Sequence, residues 1–185
     1  MAAAFSLMTS YESCNWAINM DCDNFKRCRH VIIQTVLTTD MTKHFVELGQ
    51  VKAITDVDGD FNFDEIDSKD KELFIKFMFH LADISNPTKK WKLCRLWCDL
   101  LFVEFFAQGD LEKVHEFKVD PLNDRAATNV AKSQIGFINF IVLPSFVTMI
   151  KVFPELTVCQ TACEANKEEW TKLFEEYEKE RENEN

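Results

Sequence analysis

The chain has 185 residues, of which 46% are hydrophobic and 17 are phenylalanine, so it is long and apolar enough to bury a core of its own. Its 21 basic against 31 acidic side chains give a formal net charge of -10, which argues against nucleic-acid binding through a broad basic surface. Only 4 glycines and 4 prolines are present, which favours long helices over a sheet. We therefore expect an all-α fold, with residues 1–185 forming one compact multi-helix domain.

The N-terminal part of the chain predicts a short helix followed by a long one. The segment 2–8 is the short helix, and polar turn residues follow it. An N-cap at Asp23 is expected to open a helix that runs to about Leu48 and carries Thr39 and Asp40 midway. In that position the Asp40 carboxylate is expected to face solvent or to cap a neighbour. The apolar stripe of this helix comprises Phe25, Cys28, Val31, Ile32, Val36 and Leu37.

The aspartate-rich segment 56–67 invites comparison with a calcium-binding loop. Counted from Asp56, however, the glycine is fourth rather than sixth, and the twelfth residue is Asp67 rather than glutamate. A solvated acidic loop between two helices is therefore the better prediction. Ser68 is expected to cap the helix that follows.

A helix ending at Asp83 is predicted to be buried along one face, since Leu73, Phe74, Phe77, Met78 and Leu81 recur at helical spacing. A carboxylate at a buried helix end needs a cation or several donors. Asp83 is thus expected to be a metal ligand, half of a buried pair, or a cap. Pro87 ends the element, because the residue before a proline avoids helical backbone angles.

The rest of the chain predicts three further helical regions. One runs from Lys89 to Gln108 and stops at Gly109, after which Asp110 opens a short turn. An irregular segment, 117–125, precedes a helix that carries Gln134 and Phe137 on one face. The last helix covers 155–181, and the acidic residues 175–185 are expected to fray into solvent.

Seven cysteines without a secretory segment before them fit a reducing, cytoplasmic location. The pairs Cys94/Cys98 and Cys159/Cys163 could place thiols on one helix face and suggest zinc, but buried hydrophobic packing is the favoured interpretation. The apolar run 135–150 is interrupted by polar residues and is shorter than the roughly 20 residues that span a bilayer. We expect it to be a core helix and expect no membrane segment in this chain.

Four runs in this sequence resemble segments of the class I cyclic-nucleotide phosphodiesterases, in the order in which that family has them. They are TTDMTKH (38–44), HLADISNP (80–87), EFFAQGD (104–110) and KSQIGFI (132–138). The resemblance covers most of the chain from about Asp23 to Trp170. It implies an all-α catalytic fold that hydrolyses 3',5'-cyclic nucleotides, cAMP or cGMP or both, to 5'-monophosphates. It also implies a two-metal mechanism with zinc and magnesium or manganese.

The resemblance assigns roles to particular residues. Asp83 corresponds to a direct metal ligand, and Thr39 and Asp40 lie near the water shell of the second metal. Gln134 corresponds to the glutamine that hydrogen-bonds the purine edge, and Phe137 to the ring that stacks on the purine, with Ile84 pressing from the opposite face. The other residues implied to line or border the pocket are Met41, Asn86, Leu101, Phe105 and Leu122.

Other parts of the family pattern have no counterpart here. The only histidines are His30, His44, His80 and His115, so the paired His-Asn-x-x-His motif and the general-acid histidine match nothing in the chain. The resemblance therefore implies the C-terminal portion of a catalytic domain. We expect this chain alone to hold no metal pair and to be inactive.

The alternative function is that of a non-catalytic truncated form that acts as a protein-interaction module and binds a second copy or a full-length homologue. Upstream sequence could still tether the protein to a membrane. The preference between cAMP and cGMP stays open, because Asn86 favours cAMP whereas Cys94 replaces an aromatic residue that many relatives have.

Overall fold

The computed structural model describes residues 1–56 and 61–183, and all regular elements in that part of the chain are helical. This confirms the predicted all-α class. Short 3-10 turns at Met41–Lys43, Asn86–Thr88, Pro121–Asn123 and Pro154–Leu156 lie between helices. The predicted acidic loop at 56–67 falls partly on residues 57–60, outside the described residues. The α-helices are α1 (Ala2–Ser10), α2 (Cys22–Thr38), α3 (His44–Thr55), α4 (Ser68–Asp83), α5 (Trp91–Val114), α6 (Val130–Phe137), α7 (Leu143–Ile150) and α8 (Thr157–Asn183).

The chain forms two compact units. The first consists of Met1–Ile54 and Phe63–His80, and the second of Thr55–Asn62 and Leu81–Asn185. The expectation of a single domain stays a prediction.

The core of the first unit is apolar and aromatic. Leu48 and Val51 from α3 and Phe74 and Phe77 from α4 are buried. The ring of Phe63 meets that of Phe74 edge to face, with 5.6 Å between the centroids. The stripe on α4 predicted from helical spacing is therefore confirmed at its two phenylalanines.

The predicted helix from Asp23 to Leu48 is wrong at both ends. The N-cap of helix α2 lies two residues earlier, because the carboxylate of Asp21 accepts hydrogen bonds from the backbone amides of Asp23 and Asn24 at 3.1 and 2.9 Å. It ends at Thr38. Two residues of the predicted stripe, Val36 and Leu37, are exposed.

The end of α2 has a local cause that hydrophobic spacing does not reveal. The hydroxyls of Thr38 and Thr39 donate to the carbonyls of Gln34 and Val36 at 2.9 and 2.8 Å. The Lys43 ammonium donates to the Leu37 carbonyl at 3.1 Å. The bonds from Thr39 and Lys43 satisfy carbonyls that a continuing helix would otherwise have paired, so the chain can turn here without glycine or proline.

The core of the second unit is built around thiols and a tryptophan. Cys94, Cys98 and Cys163 are buried, and burial raises the pKa of the Cys98 and Cys163 thiols to about 12. The indole of Trp170 meets that of Trp91 edge to face at 4.9 Å. The prediction that cysteines on these helices pack as small hydrophobes is confirmed for the three buried ones.

Gly109 lies inside α5, so the predicted stop at this residue and the predicted turn opening at Asp110 are wrong. A Cβ atom at Gly109 would lie 2.1 Å from the carbonyl oxygen of Asn123. The glycine is thus required by the close approach of the following segment rather than by the end of the helix. Helix α5 continues to Val114, and Glu116 beyond it has a φ of 58°.

Helices α6 and α7 are joined by the π-helical segment Ile138–Val142, just before Pro144. Proline lacks the amide hydrogen that an α-helix needs at that point, which accounts for the local widening. The helical run Val130–Ile150 is long and apolar enough to cross a membrane by length and composition, and 39% of its most apolar window is buried. Since α6 and α7 both pack against α8, a core role fits this run.

Helix α8 agrees with the predicted helix at 155–181, with Trp170 fully packed. Most side chains from Glu175 onward are exposed, and the helix is described as far as Asn183. The fraying of 175–185 stays a prediction.

Candidate active site

A cleft of about 390 Å³ lies on the second unit where α4 ends and α5 passes by. It brings together three of the residues assigned from the sequence, Asp83, Asn86 and Leu101. Its other polar and aromatic lining residues are Ser85, Lys89, Trp97 and Glu104, which sequence reasoning did not assign to the site. The side chain of Trp97 is exposed at the cleft.

The expectation that Asp83 would be a buried carboxylate is wrong. Helix α4 ends at this residue as predicted, yet the residue is exposed and lines the cleft. Burial therefore does not force a partner on it. Its carboxylate is accessible to a ligand.

Asn86 is held in a fixed orientation. Its side-chain amide donates to the backbone carbonyl of Cys94 at 3.1 Å, which identifies the nitrogen end. The Oδ1 atom is buried and has no hydrogen-bond partner among the described residues. A buried acceptor without a partner costs free energy in the folded state.

Gln134 and Phe137 lie three residues apart on α6 as predicted, with Gln134 only 7% exposed and Phe137 half-buried. Neither is among the lining residues of the cleft that holds Asp83. In the part of the chain that the structure describes, the Gln134 side chain makes no hydrogen bond.

Three other predicted pocket residues belong to the same unit. Ile84 is buried, and the ring of Phe105 is half-buried, 5.7 Å from that of Phe102. Leu122 is 38% exposed on the turn Pro121–Asn123. None of the three lines the cleft.

Helix α5 holds the turn of Leu122 through polar contacts. The Glu112 carboxylate accepts from the backbone amide of Asp120 at 3.2 Å and from the Asn123 side chain at 3.4 Å. Ion pairs join Lys113 to Asp124 at 2.7 Å and Asp110 to Arg125 at 2.5 Å. These contacts hold the segment 117–125, which was predicted to be irregular, against α5.

Thr39, Asp40 and Met41 belong to the first unit. Asp40 caps the turn Met41–Lys43, since its carboxylate accepts from the backbone amide and hydroxyl of Thr42 at 3.0 and 2.8 Å. The same hydrogen bonds lower the pKa of Asp40. Asp40 and Met41 are exposed, so Asp40 fits the capping role expected from the residues alone.

A buried histidine pair in the first unit was not predicted. The Nδ1 atom of His44 lies 2.9 Å from the Nε2 atom of His80, and both residues are 0% exposed. Because they lie on different helices, 36 positions apart, only a prediction of tertiary contacts could have paired them.

The residues implied to bind metal do not form a metal centre by themselves. Within residues 1–56 and 61–183, no group of three or more His, Cys, Asp or Glu side chains is arranged to hold a metal ion. A lone exposed carboxylate is a weak ligand, since zinc and magnesium sites need several donors. These residues alone therefore do not fit the implied ion pair.

The comparison with known families decides the identity of the chain. The model of the family described as "3'5'-cyclic nucleotide phosphodiesterase" matches residues 1–163. The chain belongs to this family. The calcium/calmodulin-dependent 3',5'-cyclic nucleotide phosphodiesterases 1B of Bos taurus and 1C of Homo sapiens, both named as having dual specificity, are 38% and 36% identical to it over 152 and 149 residues.

Solved phosphodiesterase structures share its fold. The phosphodiesterase domain of the Salpingoeca rosetta rhodopsin phosphodiesterase is 33% identical, with a TM-score of 0.84 over 93% of this chain and 52% of that chain. LmjPDEB1, solved in complex with IBMX, is 26% identical, with a TM-score of 0.85 over 94% of this chain and 51% of that one.

The coverage is unequal. Phosphodiesterases 1B and 1C align with 82% and 80% of this chain but with only 27% and 20% of their own length. The chain thus spans about a quarter of these curated relatives and about half of the solved domains. This agrees with the expectation that it is part of a phosphodiesterase catalytic domain.

Proposed function

We propose that this chain contributes the nucleotide-binding side and one metal ligand of a catalytic domain that hydrolyses 3',5'-cyclic nucleotides to 5'-monophosphates. The observation that carries the proposal is the cleft in which Asp83, Asn86 and Leu101 converge. Family membership supplies the reaction class, and the cleft supplies an exposed carboxylate beside an oriented amide.

In the complete domain, Asp83 would be one ligand of a zinc and magnesium (or manganese) pair. Such a pair supplies a hydroxide nucleophile at neutral pH and neutralises the phosphoryl oxygens. Since the described residues do not hold two ions by themselves, this chain alone is proposed to be inactive.

The purine is proposed to bind at Gln134, with Phe137 and Ile84 on its two faces. A glutamine amide offers a donor at one end and an acceptor at the other, so an amide that can rotate serves both adenine and guanine. The absence of a side-chain hydrogen bond on Gln134 among the described residues supports use of both cAMP and cGMP. Asn86, which lines the cleft, is proposed to contact the nucleotide as well.

A second function, binding of a partner protein by a non-catalytic form, is supported by exposed apolar side chains on the first unit. Phe45 and Val46 on α3 are each 64% exposed, and Ile75 and Phe79 on α4 are more than half exposed. An interaction module would retain its partner when Asp83 is replaced, whereas hydrolysis would be lost.

The direct test is to place this sequence in a complete catalytic domain and to compare Asp83→Asn with Asp99→Asn. Asp99 is an exposed carboxylate on α5 that pairs with Arg95 at 2.8 Å, away from the cleft lining. We expect Asp83→Asn to lower turnover of cAMP and cGMP at least about a hundredfold, since a catalytic metal contributes several kcal/mol. Asp99→Asn should leave turnover within about twofold, because an exposed ion pair contributes little. Equal effects of the two substitutions would contradict the proposal.

A further inference from the structure

The side chain of Asn166 connects α8 to the turn that carries Asn86. Its Nδ2 atom donates to the carbonyl oxygen of Pro87 at 2.7 Å and to that of Lys89 at 2.6 Å. A primary amide has two N–H donors, so both are used in holding this turn. Asn166 lies 77 and 79 positions from its two acceptors and three residues beyond the end of the family match.

The surroundings make these two bonds difficult to replace. Asn166 is 3% exposed and lies between Cys163 and Trp170 on the buried stripe of α8. Water cannot readily reach carbonyl groups that lose their donor in such a place, so the loss of the amide leaves them unsatisfied. Packing of Trp170 against Trp91 fixes the helix that presents the amide.

The turn in question forms one side of the cleft. Its 3-10 segment Asn86–Thr88 is closed by bonds from the Thr88 amide to Ser85 and from the Lys89 amide to Asn86, at 2.9 and 3.1 Å. Asn86 then reaches the Cys94 carbonyl through its side chain. A displacement of the Pro87 or Lys89 carbonyl would therefore displace Asn86 from its place in the cleft lining.

We propose that Asn166 is a positioning residue, which fixes the turn 85–89 so that Asn86 stays oriented in the cleft. The relevance of this role to cyclic nucleotides rests on the proposed function, whereas the positioning itself does not. The sequence itself indicates that Asn166 is unusual. It lies three residues after Cys163 and four before Trp170, so it falls on a helix face where helical spacing predicts apolar residues.

The test uses the 185-residue chain labelled with 15N. Asn166→Leu removes both donors at similar volume, and Asn166→Asp keeps the shape while removing the amide, should the leucine variant fail to fold. Cys163→Ala is the matched control, because it removes buried volume one turn away on the same stripe but none of the hydrogen bonds that hold the turn 85–89. The readouts are the Asn86 side-chain amide resonance and hydrogen exchange at the Thr88 and Lys89 amides.

We expect the Asn166 variants to shift the Asn86 resonance and to accelerate exchange at Thr88 and Lys89 at least about tenfold over the rest of the second unit, as local opening does. Cys163→Ala should accelerate exchange evenly and leave the Asn86 resonance in place. An even acceleration in the Asn166 variants, with an unchanged Asn86 resonance, would overturn the proposal. If cAMP and cGMP leave the wild-type Asn86 resonance unchanged, the proposed role of the cleft fails, while the exchange pattern still decides the role of Asn166.

Discussion

The imidazoles of His44 and His80 are joined by a hydrogen bond of 2.9 Å inside the first unit, where both residues are fully buried. The centroid of the Phe77 ring lies 6.5 Å from that of His44 and 6.0 Å from that of His80. One ring donates and the other accepts, an arrangement that requires at least one neutral imidazole. Protonation of both would break the bond and place two charges together.

This pair predicts acid sensitivity of the first unit. Burial, and next the charge of His80, lower the pKa of His44 below its ordinary value of 6.5. As the pH falls through 6.5, the unfolded chain binds more protons than the folded one. The free energy of unfolding should therefore fall, by up to about 1.4 kcal/mol per pH unit for each proton. Urea unfolding between pH 5.5 and 7.5 measures this slope.

Two variants separate the pair from other groups. His44→Gln should flatten the slope, whereas His30→Gln should not, because His30 is largely exposed. Glu47 acts in the opposite direction, since burial raises its pKa and its contribution to stability is lost as the pH rises above 4.5. Both variants retain Glu47, so its contribution to the slope cancels when the two are compared. An equal slope in wild type and His44→Gln would contradict the account.

The contact between Gly109 and Asn123 predicts a destabilising glycine-to-alanine substitution within a helix. A methyl group at Gly109 would displace the Asn123 carbonyl, and overpacking of this kind costs about 1–3 kcal/mol. Gly136→Ala in α6 is the matched control, because nothing lies within 4 Å of the added carbon and alanine favours helix by up to about 1 kcal/mol. Denaturant unfolding should give opposite signs for the two variants. The same sign for both would contradict the contact.

These cases show what hydrophobic spacing can and cannot predict. The proline that follows α4 predicted the end of this helix at Asp83. Helical spacing predicted that Gln134 and Phe137 share one face. The break after Thr38 was not predicted, because the Thr39 hydroxyl and the Lys43 ammonium bond the last carbonyls without altering the apolar period. Gly109 looked like a stop, since only the folded chain reveals the carbonyl packed against it.

The candidate site was predicted to a similar extent. Motifs placed Asp83, Asn86 and Leu101, and the structure brings them to one cleft. Three other features depend on contacts between distant parts of the sequence. They are the exposure of Asp83, the pairing of His44 with His80, and the hydrogen bond from Asn166 to Pro87. Residue type and spacing carry no direct information about such contacts.

The purine-binding proposal predicts equal losses for two substrates. In a complete domain, Gln134→Leu removes donor and acceptor together, so kcat/KM for cAMP and for cGMP should fall by a similar factor. The loss of one or two hydrogen bonds, at about 0.5–1.5 kcal/mol each, corresponds to a decrease in kcat/KM of roughly two- to hundredfold. Gln160→Leu is the control, because that amide bonds Glu164 on the surface of α8. A loss confined to one nucleotide would show that the amide is fixed in one orientation.

This chain is proposed to carry nucleotide-binding residues but not the complete set of metal ligands that hydrolysis needs. The most direct test is to measure turnover by two proteins. The first is the purified 185-residue chain with zinc and magnesium. The second is the same chain joined behind the N-terminal half of the Salpingoeca rosetta phosphodiesterase domain, which is 33% identical where the two overlap. We predict no hydrolysis of cAMP or cGMP by the chain alone and chelator-sensitive hydrolysis by the joined protein. Chelator-sensitive turnover by the chain alone, or a folded joined protein without activity, would contradict the account.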